Sequence, residues 1–453
     1  MNITNLTLTE TLEALKNGDF NEEELNKAYL DRIDIINPKL NVFLEVKINK
    51  KGVPAAIKDI ISTQNIKTTA GSKILSTYIP PFNATVVDRL LDRGISVIGK
   101  TNLDEFAMGS SGENSAYGTT KNPWDKTKVP GGSSSGSASA IAAELATFAL
   151  GTDTGGSIRQ PASLCGVVGF KPSCGRVSRY GSIAMASSLD QIGPITKSVA
   201  DARLVLEWIE GVDGMDSNCA QIYKVSSSRP RRSDLKGIRV GVPKEYFGKG
   251  LDSGVEKVIK EAIKKLDKLG AEIVEVSLPH TEYAVAAYYI IMASEVSANL
   301  ARFDGIRFGS GRENFGEEVK RRIMLGTFSL SSGYYDEYFT KAAKVRTLIK
   351  QDFDEAFDPS ADGVDVIVGP ISPTIAWNLG EKVSDPLSMY LMDIYTVPPS
   401  LARITGHSVP CGFSESLPVG LQILGKYMGD EKVLNVGEVY EQSMDWRKEK
   451  PQL

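Results

Sequence analysis

The sequence predicts an α/β protein with one large mixed sheet flanked by helices. Three observations carry that expectation. Helical and strand-like signals alternate through all 453 residues, with no internal repeat and no low-complexity tract. Ile238 to Leu278 reads as a complete βαβ unit: a strand to Val242, an amphipathic helix from about Ser253 to Leu269 ended by Gly270, and a strand from Glu272. Between Pro130 and Lys171, an Ala-rich helix and a short apolar strand fold the chain back on itself.

The elements follow in order. Residues 7 to 37 read as two helices, the first broken by Gly18, the second opened by an Asn21–Glu24 capping box and stopping before Pro38. These helices form an N-terminal segment, residues 1–45, ahead of a main domain, residues 46–453. Asn41 to Val46 and Val53 to Ile57 are strand-like, the latter leading into Lys58-Asp59. Residues 85 to 93 look helical up to Gly94, and Ile95 to Ile98 reads as a buried strand. Residues 100 to 130 are loop-like. Residues 213 to 236 are polar, with Ser226-Ser227-Ser228-Arg229-Pro230-Arg231-Arg232, and read as an exposed linker. Residues 282 to 303 and 317 to 357 are largely helical, Val364 to Val368 is a buried strand, and a helix near 431 to 444 closes the chain.

Composition excludes several classes. A net charge of −4 gives no chain-wide basic surface, so any RNA contact is local or made through a partner. Cys165, Cys174, Cys219 and Cys411 contain no CxxC pair and fit a reducing cytosol. No apolar run is long enough to span a bilayer, and no basic-then-apolar signal opens the chain. The expected location is the cytoplasm.

Two runs pair glycine with serine: Gly131-Gly132-Ser133-Ser134-Ser135-Gly136 and Gly155-Gly156-Ser157. Ser137 to about Thr147 favours a helix, and Phe148-Ala149-Leu150 reads as a buried strand. Eleven helical residues travel roughly 16 Å, and about five extended residues return the same distance. The helix and strand therefore bring Ser133 and Ser157 to one edge of a sheet. Serines facing each other in glycine-rich turns point to nucleophilic chemistry.

Gly94-Ile95-Ser96-Val97-Ile98-Gly99-Lys100-Thr101 matches a phosphate-loop pattern letter for letter. That motif needs a strand before the first glycine and a helix opening at the lysine. Here a helix leads into Gly94 and an apolar strand follows, so the match carries no nucleotide site. A serine nucleophile needs a base, usually histidine. His280 follows a strand end and reads as a surface residue; His407 lies near Pro410 in a loop, with a structural role favoured. A lysine lowered towards neutrality by burial is the better base. Lys58 is that lysine, because the apolar run Val53-Pro54-Ala55-Ala56-Ile57 delivers it from a buried strand. Taken alone, it would be an ordinary strand-end lysine; joined to both serine runs, it becomes the expected base.

Lys58-Asp59, the run at 131 to 136, and Gly151-Thr152-Asp153-Thr154-Gly155-Gly156-Ser157-Ile158-Arg159-Gln160-Pro161-Ala162 resemble the amidase signature family. The resemblance implies an α/β/α sandwich with a large mixed sheet and a Ser-cisSer-Lys triad. Ser157 would be the nucleophile, Ser133 the bridging serine in a cis peptide, and Lys58 the base. Backbone amides from Thr154, Gly155 and Gly156 through Ser157 would form the oxyanion hole. Asp104 to Ser110, Lys171-Pro172, Gly175 to Gly181, Ser187 to Pro194, Asn299 to Gly305, Val319 to Gly326, Leu330 to Tyr335 and Met389 to Thr396 are similar to the branch serving tRNA-dependent amidotransferases.

That branch implies a glutaminase acting beside two other subunits in a heterotrimer. Glutamine is the substrate, and the ammonia passes to a partner that amidates tRNA-bound glutamate, or aspartate, using ATP and Mg²⁺. This chain itself is expected to need no cofactor and no metal, and to meet tRNA mainly through the partner. Arg322 and Asp393, with Tyr288, would hold the substrate's α-carboxylate and α-amino groups. Three places depart from the pattern. Ser135 stands where a glycine is expected, the segment between Arg307 and Gly316 is shorter by roughly a helix, and Ala402 to His407 replaces a more apolar stretch. The alternatives are a stand-alone small-molecule amidase and a catalytically silent assembly protein.

Overall fold

The computed structural model describes residues 2–48, 51–220, 232–306 and 309–453. Its core is an 11-stranded mixed sheet in the order β1-β3-β2-β4-β6-β5-β10-β11-β9-β7-β8. The strands are β1 Phe43–Val46, β2 Val53–Lys58, β3 Ile95–Thr101, β4 Phe148–Asp153, β5 Val168–Lys171 and β6 Gln191–Thr196. The remaining five are β7 Arg239–Pro243, β8 Glu272–Val276, β9 Val366–Pro370, β10 Thr405–Ser414 and β11 Leu417–Gly425. Every residue of β2, β3, β4, β5, β6, β9 and β11 is buried, as expected of a sheet covered by helices on both faces. The α/β/α sandwich is therefore present. Among the described residues, no helix is long and apolar enough to cross a membrane.

β2 runs parallel to both β3 and β4, so the carboxyl ends of all three lie at one edge of the sheet. The βαβ unit is also present, with β7 parallel to β8 around the helix Ser253–Lys268. The phosphate-loop-like string is a helix end, with Gly94 at φ +76°, running into β3.

Three expectations need correction. The second N-terminal helix, Glu22–Leu40, does not stop before Pro38 but carries it in its last turn. A proline there removes one amide from the ladder, and the turn is held by Asn37, whose Oδ1 accepts from the Val42 and Phe43 amides. The Ala-rich helix is shorter than its composition suggests, Ser135–Ala142, because the chain turns through Glu144 at φ +58° before β4. Residues 405–425 form a long hairpin in place of the loop expected around Pro410. His407 is thus an inner-strand residue, with Nδ1 donating to the Gly169 carbonyl at 3.0 Å; burial pushes its pKa down to about 3 and keeps the ring neutral.

The boundary expected at residue 45 falls inside β1, the strand at the sheet's edge. The N-terminal helices are tied to the body as well: Asp201 caps the first turn through the amides of Leu8 and Thr9, at 3.0 Å each. Of the expected linker, residues 221–231 lie outside the described residues. Residues 213–220 pack onto the body through Asp213 with Thr85 and Asp216 with Arg179.

Candidate active site

β2 carries Lys58 out of the core without letting it reach solvent: the residue is 0% exposed. Its Nζ donates to Ser133 Oγ at 2.8 Å, Ser134 Oγ at 2.9 Å and Thr152 Oγ1 at 2.9 Å. Burial pushes the amine down to about 7, while Asp104, Asp153 and Asp190 pull it back up. Near neutral pH a large fraction is therefore unprotonated. A neutral amine has a lone pair, so one neighbouring hydroxyl must donate to it. Ser134's proton is committed to the Thr152 carbonyl at 3.1 Å, whereas Ser133's is not tied in this way.

The Gly132–Ser133 peptide is cis. Gly132 is required there, because a Cβ would run into the Asp104 carboxylate. Asp104 itself accepts from the Gly112 amide at 3.0 Å and the Asn114 amide at 2.9 Å, and burial pushes it up to about 6. Ser135 opens the short helix, and its side chain packs where a Cβ on Gly112 would lie. A serine in place of glycine fits because its neighbour is a glycine.

Ser157, 8% exposed, sits in the turn between β4 and the helix Arg159–Cys165, and its carbonyl accepts from the Ser134 amide at 3.1 Å. That bond joins the two glycine-serine runs. Asp153 shapes the turn by accepting from the amides of Gly156 at 2.9 Å and Ile158 at 3.2 Å. Burial would raise the Asp153 pKa, but the Arg159 guanidinium, at 3.0 Å from each of its oxygens, outweighs burial and holds it low. Arg159 is fully buried and also reaches Gln422 Oε1 at 2.8 Å and Ser400 Oγ at 2.9 Å.

The structure separates the four amides named for an oxyanion hole. The Gly156 N–H is committed to Asp153. Among the described residues, the amides of Thr154, Gly155 and Ser157 donate to no protein group. Glycine is needed at 155 because Tyr288 lies against it: a Cβ would fall 2.6 Å from its Oη.

Tyr288 projects from the helix Ala284–Leu300, Arg322 from the helix Glu317–Ser329, and Asp393 from the turn Leu391–Asp393. Burial pushes the Tyr288 hydroxyl up, with Arg322 opposing and Asp393 adding, so the three groups share one neighbourhood. Asp393 accepts from Ser110 Oγ at 2.7 Å and Tyr289 Oη at 3.2 Å, and burial pushes it up to about 7. Thr396, whose amide bonds the Asp393 carbonyl at 3.0 Å, packs on Gly156 and links this group to the serine turn.

Ser134 and Thr152 as partners of Lys58, and Arg159 as the anchor of Asp153, were not expected from sequence. Their signal was present, because all three lie inside the runs that carry the family resemblance. Tyr289, Tyr390 and Glu318 were not expected either; they surround Arg322, and of the three only Tyr390 lies inside a run that carries the resemblance. His280 meets Asp352 at 2.7 Å.

A strand-end lysine, two serine turns and a sheet of this order define an amidase. The Amidase family matches residues 24–434, and the chain belongs to that family. It is 53% identical over 478 aligned residues to the A-subunit of the glutamyl-tRNA(Gln) amidotransferase of Thermoanaerobacter pseudethanolicus, covering 98% of this chain and 97% of that one. It is 50% identical to the corresponding A-subunit of Thermodesulfovibrio yellowstonii, with all of both chains covered. The crystal structure of the Thermotoga maritima A-subunit superposes with a TM-score of 0.87 at 45% identity, covering 98% of this chain and 96% of that one. The first alignment is longer than the chain's 453 residues, so that relative carries residues this chain lacks.

Proposed function

We propose that this chain is the glutamine-hydrolysing subunit of a glutamyl-tRNA(Gln) amidotransferase and that Lys58, Ser133 and Ser157 carry its chemistry. One observation supports the chemistry above the rest: a buried amine with a pKa near 7 lies 2.8 Å from Ser133, in the run bonded to the Ser157 turn.

Ser157 Oγ attacks the side-chain carbonyl of glutamine. Its proton passes to Ser133 as Ser133 gives its own to Lys58. The developing oxyanion is met by the amides of Thr154, Gly155 and Ser157. Gly156 holds the turn through Asp153 instead. Lys58 returns the proton through Ser133 to the leaving nitrogen, which departs as ammonia and leaves a γ-glutamyl ester on Ser157. Water, activated by the same base, hydrolyses the ester to glutamate and frees the serine.

Arg322 and Asp393 hold the α-carboxylate and α-ammonium of glutamine, and Tyr288 packs over Gly155 beside them. The chain works in the cytoplasm with two other subunits in a heterotrimer. A partner takes the ammonia and amidates Glu-tRNA(Gln), or Asp-tRNA(Asn), with ATP and Mg²⁺; the tRNA is held mainly by that partner.

The test is ammonia release from glutamine by the full chain, beside Ser157→Ala, with and without partner subunits and charged tRNA. Release that vanishes in Ser157→Ala and rises with partner and Glu-tRNA(Gln) is expected. Turnover of other amides but not glutamine would favour a stand-alone amidase, and no turnover by the folded protein would favour an assembly role.

A further inference from the structure

Arg322 is held in a cage. Its Nε donates to Glu318 Oε1 at 2.8 Å, and the same oxygen accepts from Tyr390 Oη at 3.0 Å. Its guanidinium lies over the rings of Tyr289 and Tyr390, 5.2 and 5.7 Å from their centroids, and those rings stack at 3.8 Å. Its Nη1 rests 3.6 Å from Met292 Sδ, a weak acceptor. The side chains of Arg322 and Glu318 are only 4% and 11% exposed. Tyr289 does a second job: its hydroxyl bonds Asp393, so one ring touches the cation and the anion together.

An arginine recognises a carboxylate best as a planar fork, and the fork must face the ligand. With Nε taken by Glu318, Cζ beside the Tyr289–Tyr390 stack and Nη1 touching only a weak acceptor, the terminal Nη1 and Nη2 edge is left for a bidentate partner. Glu318 also contacts Arg321. One carboxylate against two guanidinium groups keeps a net positive charge, so the cage orients Arg322 without cancelling its attraction for an anion.

We propose that Glu318 is the positioning residue for α-carboxylate recognition, fixing the plane of Arg322 together with Tyr289 and Tyr390. The inference rests on the reading of Arg322 as the carboxylate ligand. Glu318 acts through Arg322 and does not itself touch substrate. Tyr289 sets the spacing between the groups that read the two charges of an α-amino acid.

The test measures kcat and KM for glutamine in the assembled enzyme carrying Arg322→Gln, Glu318→Ala, Glu318→Gln or Tyr390→Phe, each checked for folding by thermal melting. Arg322→Gln raises KM strongly. Glu318→Ala raises KM about tenfold or more, the scale of one hydrogen bond to a charged group, with kcat within about twofold. Glu318→Gln, which keeps an acceptor for Nε, recovers most of that loss. If Arg322→Gln raises KM and Glu318→Ala does not, the positioning role falls. It falls too if Glu318→Ala lowers kcat as much as it raises KM. If Arg322→Gln leaves KM unmoved, the carboxylate reading fails and the inference with it. Should Glu318→Ala not fold, Tyr390→Phe removes one hydroxyl from the cage: a threefold or greater rise in KM supports the proposal, and none overturns it.

Discussion

Lys58 owes its chemistry to burial. Its pKa is lowered from 10.5 to about 7, so the amine is a usable base above about pH 7 and is protonated below it. Ammonia release should fall along an acid limb near pH 7, and a pH profile of kcat/KM checks this; a flat profile from pH 5.5 to 8 would sink Lys58 as base. The same shift has a thermodynamic sign. Between pH 7 and 10.5 the unfolded chain binds a proton that the folded protein does not. The cost of burying Lys58 is therefore full below pH 7 and fades as pH rises to 10.5. Gly155 makes a second prediction at this scale. A methyl group there would meet Tyr288 Oη and Cζ at 2.6 Å. Gly155→Ala should displace Tyr288, costing about 1–3 kcal/mol of stability by overpacking, and lower kcat/KM about 100-fold, the usual effect of a misplaced reacting geometry. A Gly155→Ala enzyme with unchanged kinetics would show that Tyr288 does not define the pocket.

At the scale of elements, the short helix Ser135–Ala142 and the loop bearing Gly112 fit each other through one missing side chain. Gly112 sits at φ +82°, and a Cβ would lie 2.6 Å from Ser135 Cβ. Gly112→Ala should destabilise by about 2–4 kcal/mol, adding overpacking to left-handed strain. Part of that loss should return in the Gly112→Ala, Ser135→Gly double variant, read as coupling in urea titrations. What sequence conveys about such elements is local. The capping box at Asn21, the strand delivering Lys58 and the serine turns were legible because their chemistry lies within a few residues. The β10–β11 hairpin was not. His407, Ser408, Pro410 and Gly412 interrupt the alternation that marks a strand, and His407 finds its partner only in the neighbouring strand β5, where the Gly169 carbonyl accepts from its Nδ1. The cage around Arg322 was illegible for a related reason, since Tyr390 meets Glu318 across 72 residues.

Across the whole molecule, Arg159 joins the serine turn to the far half of the sheet. It bonds Asp153 in β4 and Gln422 in β11, 263 residues away. Arg159→Met strips a fully buried carboxylate of its counter-charge and should cost about 3–5 kcal/mol, measurable by chemical denaturation. A loss below about 1 kcal/mol would mean that the turn is held by its amides alone. The strand order explains why such a link is needed. The chain lays β1 to β6 on one side of the sheet, builds β9, β7 and β8 on the other, and closes the gap with β10 and β11.

That order fixes when the protein finishes folding during its own synthesis. β5 ends at Lys171, but the strand that covers its open edge, β10, begins at Thr405. At about 5–20 residues per second, the ribosome leaves that edge bare for tens of seconds. A bare, apolar strand edge is a template for pairing with another chain. The nascent protein therefore has its greatest exposure to aggregation before β10 emerges, and a truncation anywhere upstream of that strand makes the exposure permanent.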